Sequence, residues 1–277
     1  MVVRGWQLAN ACFFAGNVWA VRSIARLDGR NSSALPTNFL TPAPYAFAIW
    51  GVIYMMEYLF VCWQLLQGCS LRGQPLPPQR SERLRLLKRI SPGWCGANAC
   101  QIAWCFAFRP SLDTPQLLWI SAVCLTGIAG FLSLAHGLLC EESGLSFEEL
   151  ILMYVPLMLH FGWTTAAALV NWNDYVSRCS LDLEWSGWVK VNALWLSVVL
   201  AGSLGTLLSL RRKSGLYALT VAWAVLAVAS HTSMSEDLRE EFPGGEEALQ
   251  RVAQVEYFLG LGLILVALSV FRRHLKR

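Results

Sequence analysis

Charge is what this sequence is short of. Lys, Arg, Asp and Glu make up 14% of its 277 residues and apolar residues 55%, whereas an average soluble domain carries about 25% charged residues. That balance excludes a disordered tail, and with 22 Lys and Arg against 18 Asp and Glu it gives no sign of nucleic-acid binding. Histidine is scarce, and the CxxC and paired-histidine spacings of zinc sites are missing. Cysteine is present, but Cys12, Cys62, Cys95, Cys100, Cys105 and Cys124 fall inside apolar runs, where a thiol behaves as a small hydrophobe, and no disulfide framework is implied. No phosphate-binding glycine loop, Ser-His-Asp triad or pair of catalytic carboxylates can be assembled, so the residues do not point to an enzyme. The sequence also has no long internal repeat and no low-complexity tract.

What it does have is long apolar runs. A span needs about 20 largely apolar residues to cross a hydrocarbon core of ~30 Å. Eight segments answer to that: residues 5–22, 44–67, 91–108, 115–139, 149–171, 189–210, 215–232 and 247–271. They are too long and continuous for barrel strands, so the expected fold is all-α, a polytopic helical membrane bundle whose first partner is the lipid bilayer. The first segment is the least apolar, because Gln7, Asn10 and Asn17 interrupt it. It reads as a retained span, since no small-residue cleavage site follows as it would in a signal peptide.

The basic residues sit between the spans. Arg4, the cluster Arg72, Arg80, Arg83, Arg85, Lys88 and Arg89, the group Arg211, Arg212 and Lys213, and the C-terminal Arg272, Arg273, Lys276 and Arg277 all fall on one side of an eight-span chain. The positive-inside rule then places both termini in the cytoplasm or its equivalent. The opposite side receives the acidic stretch around Glu236, Asp237, Glu240 and Glu241, and the sequon Asn31-Ser32-Ser33. In the basic loop after the second span, Leu84, Leu86, Leu87 and Ile90 make an apolar stripe, which fits either an amphipathic turn on an anionic leaflet or an ordinary charged loop.

The densest local signal is TPAPYAFAIWGVIY, residues 41–54. Pro42 and Pro44 fix an extended approach to the second span, because proline removes donors that a first helical turn leaves unpaired anyway. Phe47, Trp50 and Tyr54 follow at spacings of three and four, which puts them on one helical face. At these residues the chain resembles the TspO/MBR family, the translocator and tryptophan-rich sensory proteins, whose second span begins with prolines and carries Trp-x-x-x-Tyr, here Trp50 and Tyr54. The third span of that family has an amide, a tryptophan and a phenylalanine in succession, matched by Gln101, Trp104 and Phe108 with glutamine replacing asparagine. Trp163, Ala167 and Asn171 reproduce the Trp-x-x-x-Ala-x-x-x-Asn of its fifth span.

The resemblance covers residues 5–178 and divides the chain into a five-helix core, 1–178, and an additional three-helix segment, 179–277. It implies a pocket for a flat hydrophobic small molecule, a porphyrin, haem or sterol, lined by Phe47, Trp50, Tyr54, Gln101, Trp104, Phe108, Trp163, Ala167 and Asn171. Val170, Tyr175 and Arg178 fit a loose sterol-recognition pattern where the family carries one. A homodimer or larger membrane assembly is a further expectation of the same kind.

Ionisable groups inside spans are costly and are functional candidates by default. Glu57, His160 and Glu256 are placed so by the sequence, with Glu57 and His160 at similar depth. They read as a hydrogen-bonded structural pair, as a proton site, or with His160 as an axial haem ligand. Gly127, Gly130, Gly202, Gly205, Gly260 and Gly262 read as close-packing positions, and His136, His231 and His274 as interfacial. Three functions are therefore open: a binding or sensory protein for a flat hydrophobic ligand, a small-molecule transporter using the intramembrane Glu and His residues, and an intramembrane porphyrin-degrading enzyme.

Overall fold

The structure is a computed structural model that describes residues 3–24, 38–67, 77–112, 114–142, 144–182, 187–234 and 245–275. Among these residues there is no strand and there are eight long helices: α1 Gly5–Ser23, α2 Ile49–Gln67, α3 Pro78–Ala107, α4 Pro115–Glu141, α5 Val155–Asp182, α6 Gly187–Arg212, α7 Gly215–Met234 and α8 Glu246–Leu275. The protein is an all-α polytopic bundle. Six of the helices are long and apolar enough to cross a membrane on those grounds alone, within Pro44–Gln67, Leu117–Glu141, Phe147–Ser180, Trp188–Arg212, Gly215–Thr232 and Glu246–Arg273. The other two, α1 and α3, carry more polar residues and stand in the same bundle. The sequon at 31–33, the acidic stretch around residues 236–241 and the start of the basic loop lie outside the described residues.

The first five helices close into a ring. Each packs against the next in the order α1, α2, α5, α4, α3 and back to α1, so α3 and α5 face each other across its interior. Helices α6, α7 and α8 pack on one another, with α6 and α7 both lying against α5. One apolar cluster crosses from the ring into these helices, joining Trp104, Leu125, Ile128 and Phe161 to Ala201, Tyr217, Val221 and Leu263.

The inward face of α1 is polar. It buries Gln7, Asn10 and Asn17 beside Phe14 and Ala20, and leaves Leu8, Phe13 and Trp19 exposed on the outside. In water this would be inverted; in lipid the apolar face meets the bilayer and the amides bond to neighbouring helices, where unpaired polar groups would be costly. Gln7 donates to the Gln64 carbonyl, and Asn10 donates to Gln64 Oε1 at 2.7 Å and to Ser91 at 3.0 Å. Asn17 donates to Asn98 at 2.9 Å.

The basic segment after α2 is neither a surface-lying turn nor a loop. From Pro78 it is the first part of α3, and Leu84, Leu86, Leu87 and Ile90 are buried with Phe60, Trp94 and Leu157. Two of its arginines are held by acidic partners: Arg83 pairs with Glu148 at 2.9 Å and Glu149 at 3.0 Å, and Arg89 with Glu141 and Glu142. These ties join the start of α3 to the turn before α5. There Ser146 caps the one-turn helix Phe147–Glu149, and a π-helical turn, Leu150–Tyr154, leads into α5.

The glycine expectation divides. A Cβ at Gly127, Gly202, Gly205 or Gly260 would come within 3.0 Å of a neighbouring side chain, but at Gly130 and Gly262 it would meet nothing within 4 Å, so those two are not packing notches. The tightest backbone approach is Gly93, where an added Cβ would lie 2.8 Å from the Phe131 carbonyl oxygen. His136 is not interfacial but fully buried, its Nδ1 3.3 Å from the Arg212 guanidinium and its ring against Tyr154, Phe161 and Tyr217.

Candidate functional site

The chain reaches α2 through a short 3-10 helix, Pro44–Ala48, with proline at its first position. This turn is anchored on the C-terminal helices: Ala43 N–H donates to the Ala227 carbonyl at 3.0 Å, and the Trp223 indole donates to the Ala46 carbonyl at 3.2 Å. Phe47 lies in the turn, 40% exposed, with its ring edge-on to Trp163 at 5.6 Å. The helix proper begins two residues later.

Trp50 and Tyr54 stack at 5.6 Å between ring centroids. Trp50 meets His160 edge-on at 5.6 Å and Trp163 at 6.3 Å, both from α5. Edge-on and offset contacts suit aromatic quadrupoles and are worth about 0.5–1.5 kcal/mol each beyond buried area. Two turns further along α2 from Trp50, Glu57 Oε1 lies 2.6 Å from His160 Nδ1, with side-chain exposures of 0% and 1%. The mid-span carboxylate and imidazole are therefore a bonded pair between α2 and α5, as their similar depth in the sequence suggested.

The phenol of Tyr54 carries the site across to α1 and α3. Gln101 donates to it at 2.8 Å, and it donates to Asn17 at 3.3 Å. Asn17, bonded in turn to Asn98, is thus a site residue that the motifs did not supply. Its signal was the run of amides that made the first span look marginal.

Trp104 and Phe108 stack at 5.4 Å further along α3, and the Trp104 indole donates to Asn171 at 3.2 Å, bridging the ring from α3 to α5. Ser121 of α4 donates to the same Asn171 oxygen at 3.0 Å, and Asn171 Nδ2 reaches the Ala167 carbonyl at 3.5 Å. The nine residues expected to line one pocket thus form two groups. Phe47, Trp50, Tyr54, Gln101 and Trp163 stand with the Glu57–His160 pair, while Trp104, Phe108, Ala167 and Asn171 lie one to two turns away along α3 and α5.

Of the sterol-pattern residues, Val170 accepts from Asn38 at 2.9 Å, Tyr175 sits edge-on to Trp172, and Arg178 is half-buried near the end of α5. None of the three belongs to the Trp50 group. Glu256 lies apart from Glu57 and His160, on α8.

Trp163 and Ile53 pack against Ala46 and, from α7, Ala224 and Ala227. A Cβ at Gly162 would lie 2.6 Å from Thr220, so α5 and α7 touch closely beside the aromatic group. Four buried polar atoms in this region have no hydrogen-bond partner: Glu57 Oε2, His160 Nε2, Trp163 Nε1 and Gln101 Oε1. Buried polar groups are nearly always satisfied, so four orphans around one aromatic group single this region out as the candidate site. Among the described residues no group of three His, Cys, Asp or Glu is placed to hold a metal ion. A haem iron needs less, one imidazole nitrogen, and His160 offers Nε2 while Glu57 holds Nδ1, the usual arrangement of a ligating histidine.

Residues 7–270 match the family described as TSPO-like protein. The chain belongs to this family. The match runs through α6, α7 and most of α8, so the TSPO-like description takes in the C-terminal helices as well as the five-helix ring. Searches of curated proteins and of solved structures gave no match. The TSPO-like chain is an integral multi-pass membrane protein, by its family and by its six candidate spans.

Proposed function

We propose that this TSPO-like protein binds a flat hydrophobic ligand, a porphyrin, haem or a sterol, between α2 and α5, and that sensing or carriage of that ligand is its role in the membrane. The observation that carries this reading is the coincidence of stacked and edge-on aromatic rings, Trp50, Tyr54, Trp163 and Phe47, with the four orphaned polar atoms beside them. Aromatic faces suit the plane of such a ligand. The carboxylate, imidazole, indole and amide atoms suit polar groups at its edge. We place both termini on the cytoplasmic or equivalent face, on the distribution of Lys and Arg.

The test is titration of purified protein with haem, protoporphyrin and cholesterol, read by tryptophan fluorescence and, for haem, by the Soret band. Trp50→Ala or Trp163→Ala should weaken binding by the folded protein about tenfold, the equivalent of ~1.4 kcal/mol, with Trp163→Ala also destabilising by about 3–5 kcal/mol because it empties a fully buried site. Unaltered affinity in both variants refutes this placement. If His160 ligates haem iron, His160→Ala abolishes the Soret shift and Glu57→Gln largely keeps it.

A further inference from the structure

Glu256 has no place in the ligand site, and its surroundings make a different demand. It lies ten residues into α8, counted from Glu246, about 15 Å along a helix of ~45 Å at 1.5 Å per residue, five residues past the exposed Arg251 and within the candidate span Glu246–Arg273. The side chain is 1% exposed, and neither carboxyl oxygen has a hydrogen-bond partner.

The helices around it are in tight register. A Cβ at Gly260 would come 2.6 Å from Leu226 and one at Gly215 2.8 Å from Phe271, which sets α7 antiparallel to α8. Gly202 faces Leu259 and Gly205 faces Leu263, which sets α6 parallel to α8. Glu256 therefore stands level with Ala229 and Ser230 of α7 and with Val198 of α6, one turn from glycine notches that bring these helices into contact.

Among the described residues no cation bonds to it. On α7 the titratable groups are Tyr217, near the far end, and His231, nearest in register but not bonded to either Glu256 oxygen. On α6 they are Lys190, whose ammonium lies over the Phe39 ring at 5.7 Å, and the terminal Arg211 and Arg212, the latter held at Ser133 and His136. On α8 itself Arg251 is exposed and paired with Glu247. An unpaired carboxylate in this setting has lost its water and gained nothing in return, which favours the neutral acid. The close glycine packing leaves a proton as the ligand that fits where a hydrated cation would not.

We propose that Glu256 is a proton-binding site within the C-terminal helices, carrying a proton near neutral pH while α7 and α8 are packed. Opening α8 from α7 would hydrate the carboxyl and release that proton, so α6, α7 and α8 form a proton-coupled element separate from the aromatic site. Infrared spectra of the protein in lipid nanodiscs, in light and heavy water near neutral pH, test this. The wild-type spectrum should contain a protonated-carboxyl carbonyl band that shifts in heavy water, and subtracting the Glu256→Gln spectrum should isolate it, with Glu57→Gln retaining that component. A wild-type spectrum without such a band, or one equally strong in Glu256→Gln, overturns the proposal. Should Glu256→Gln fail to fold, Glu256→Asp serves in its place: the shorter side chain meets different neighbours and must move the band, and an unmoved band in folded Glu256→Asp overturns the proposal as well.

Discussion

Replacing His160 with leucine should be among the more damaging single changes in the bundle, and replacing Glu57 at the same time should undo much of the damage. The pair is short, 2.6 Å, and sealed from solvent at both ends. Glu57 Oε2 has no partner already, so loss of the imidazole leaves both carboxyl oxygens desolvated. Stranding one member of a buried pair costs about 3–5 kcal/mol when the survivor stays charged and roughly 1–3 kcal/mol when it becomes neutral. His160→Leu also removes the edge contact with Trp50, for about 0.5–1.5 kcal/mol. The expected loss is therefore about 2–5 kcal/mol for His160→Leu and about 1–3 kcal/mol for Glu57→Leu.

The double variant separates a pair from two independent residues. With both polar groups gone nothing is stranded, and replacement of a buried pair by apolar side chains is often neutral or stabilising. The coupling energy from the four-protein cycle should reach about 1.5–3 kcal/mol, above the ~0.6 kcal/mol average of interhelical hydrogen bonds in membranes, because neither side chain here has water as an alternative partner. Equilibrium unfolding in mixed micelles, followed by helical circular dichroism as denaturing detergent is added, gives the four stabilities. Coupling below about 0.5 kcal/mol, the range of additivity for independent sites, refutes the reasoning.

Three further outcomes are expected. Asn17→Leu should cost about 1–3 kcal/mol by stranding Asn98 and withdrawing support from Tyr54; the same unfolding assay checks it, and ligand affinity should fall with it. Gly93→Ala should destabilise by about 1–3 kcal/mol because the added methyl meets a backbone carbonyl that cannot step aside, whereas Gly130→Ala should stay within about 0.5 kcal/mol. Single cysteines placed beside Arg4 and near Arg273 in a background lacking the native cysteines should be labelled from the same face of sealed vesicles, and labelling from opposite faces refutes the shared side of the termini.

The helical class was legible because the runs are long and apolar, and α2 and α5 because their motifs repeat at helical spacing. Glu57 and His160 were legible as a pair because depth in a membrane follows from position in a span. Register around the ring was not. Nothing in the sequence separates Gly93, against a carbonyl, from Gly130, facing open space, since both stand in apolar helical runs and the difference lies in the opposing helix. The start of α3 was misread for a related reason: six basic residues between spans two and three fit a loop by charge, but Glu141, Glu142, Glu148 and Glu149 arrive from the far side of α4 to neutralise Arg83 and Arg89.

The amides of α1 carry the most general consequence. Gln7, Asn10 and Asn17 made the first span the least apolar of the eight, and they are the residues that tie α1 to its neighbours. A helix with an apolar inner face has little reason to prefer neighbours over lipid, because lipid chains are equally apolar. Asn17 gives α1 such a reason and fixes its rotation, since its side chain must reach Asn98 of α3 and the Tyr54 phenol of α2 together. Tyr54 is in turn stacked on Trp50, which abuts His160. The placement of the aromatic group thus runs back through Tyr54 to α1, and a change on α1 that keeps the helix but loses the amide should disturb the site even with the Phe14 ring still beside Tyr54 at 6.4 Å.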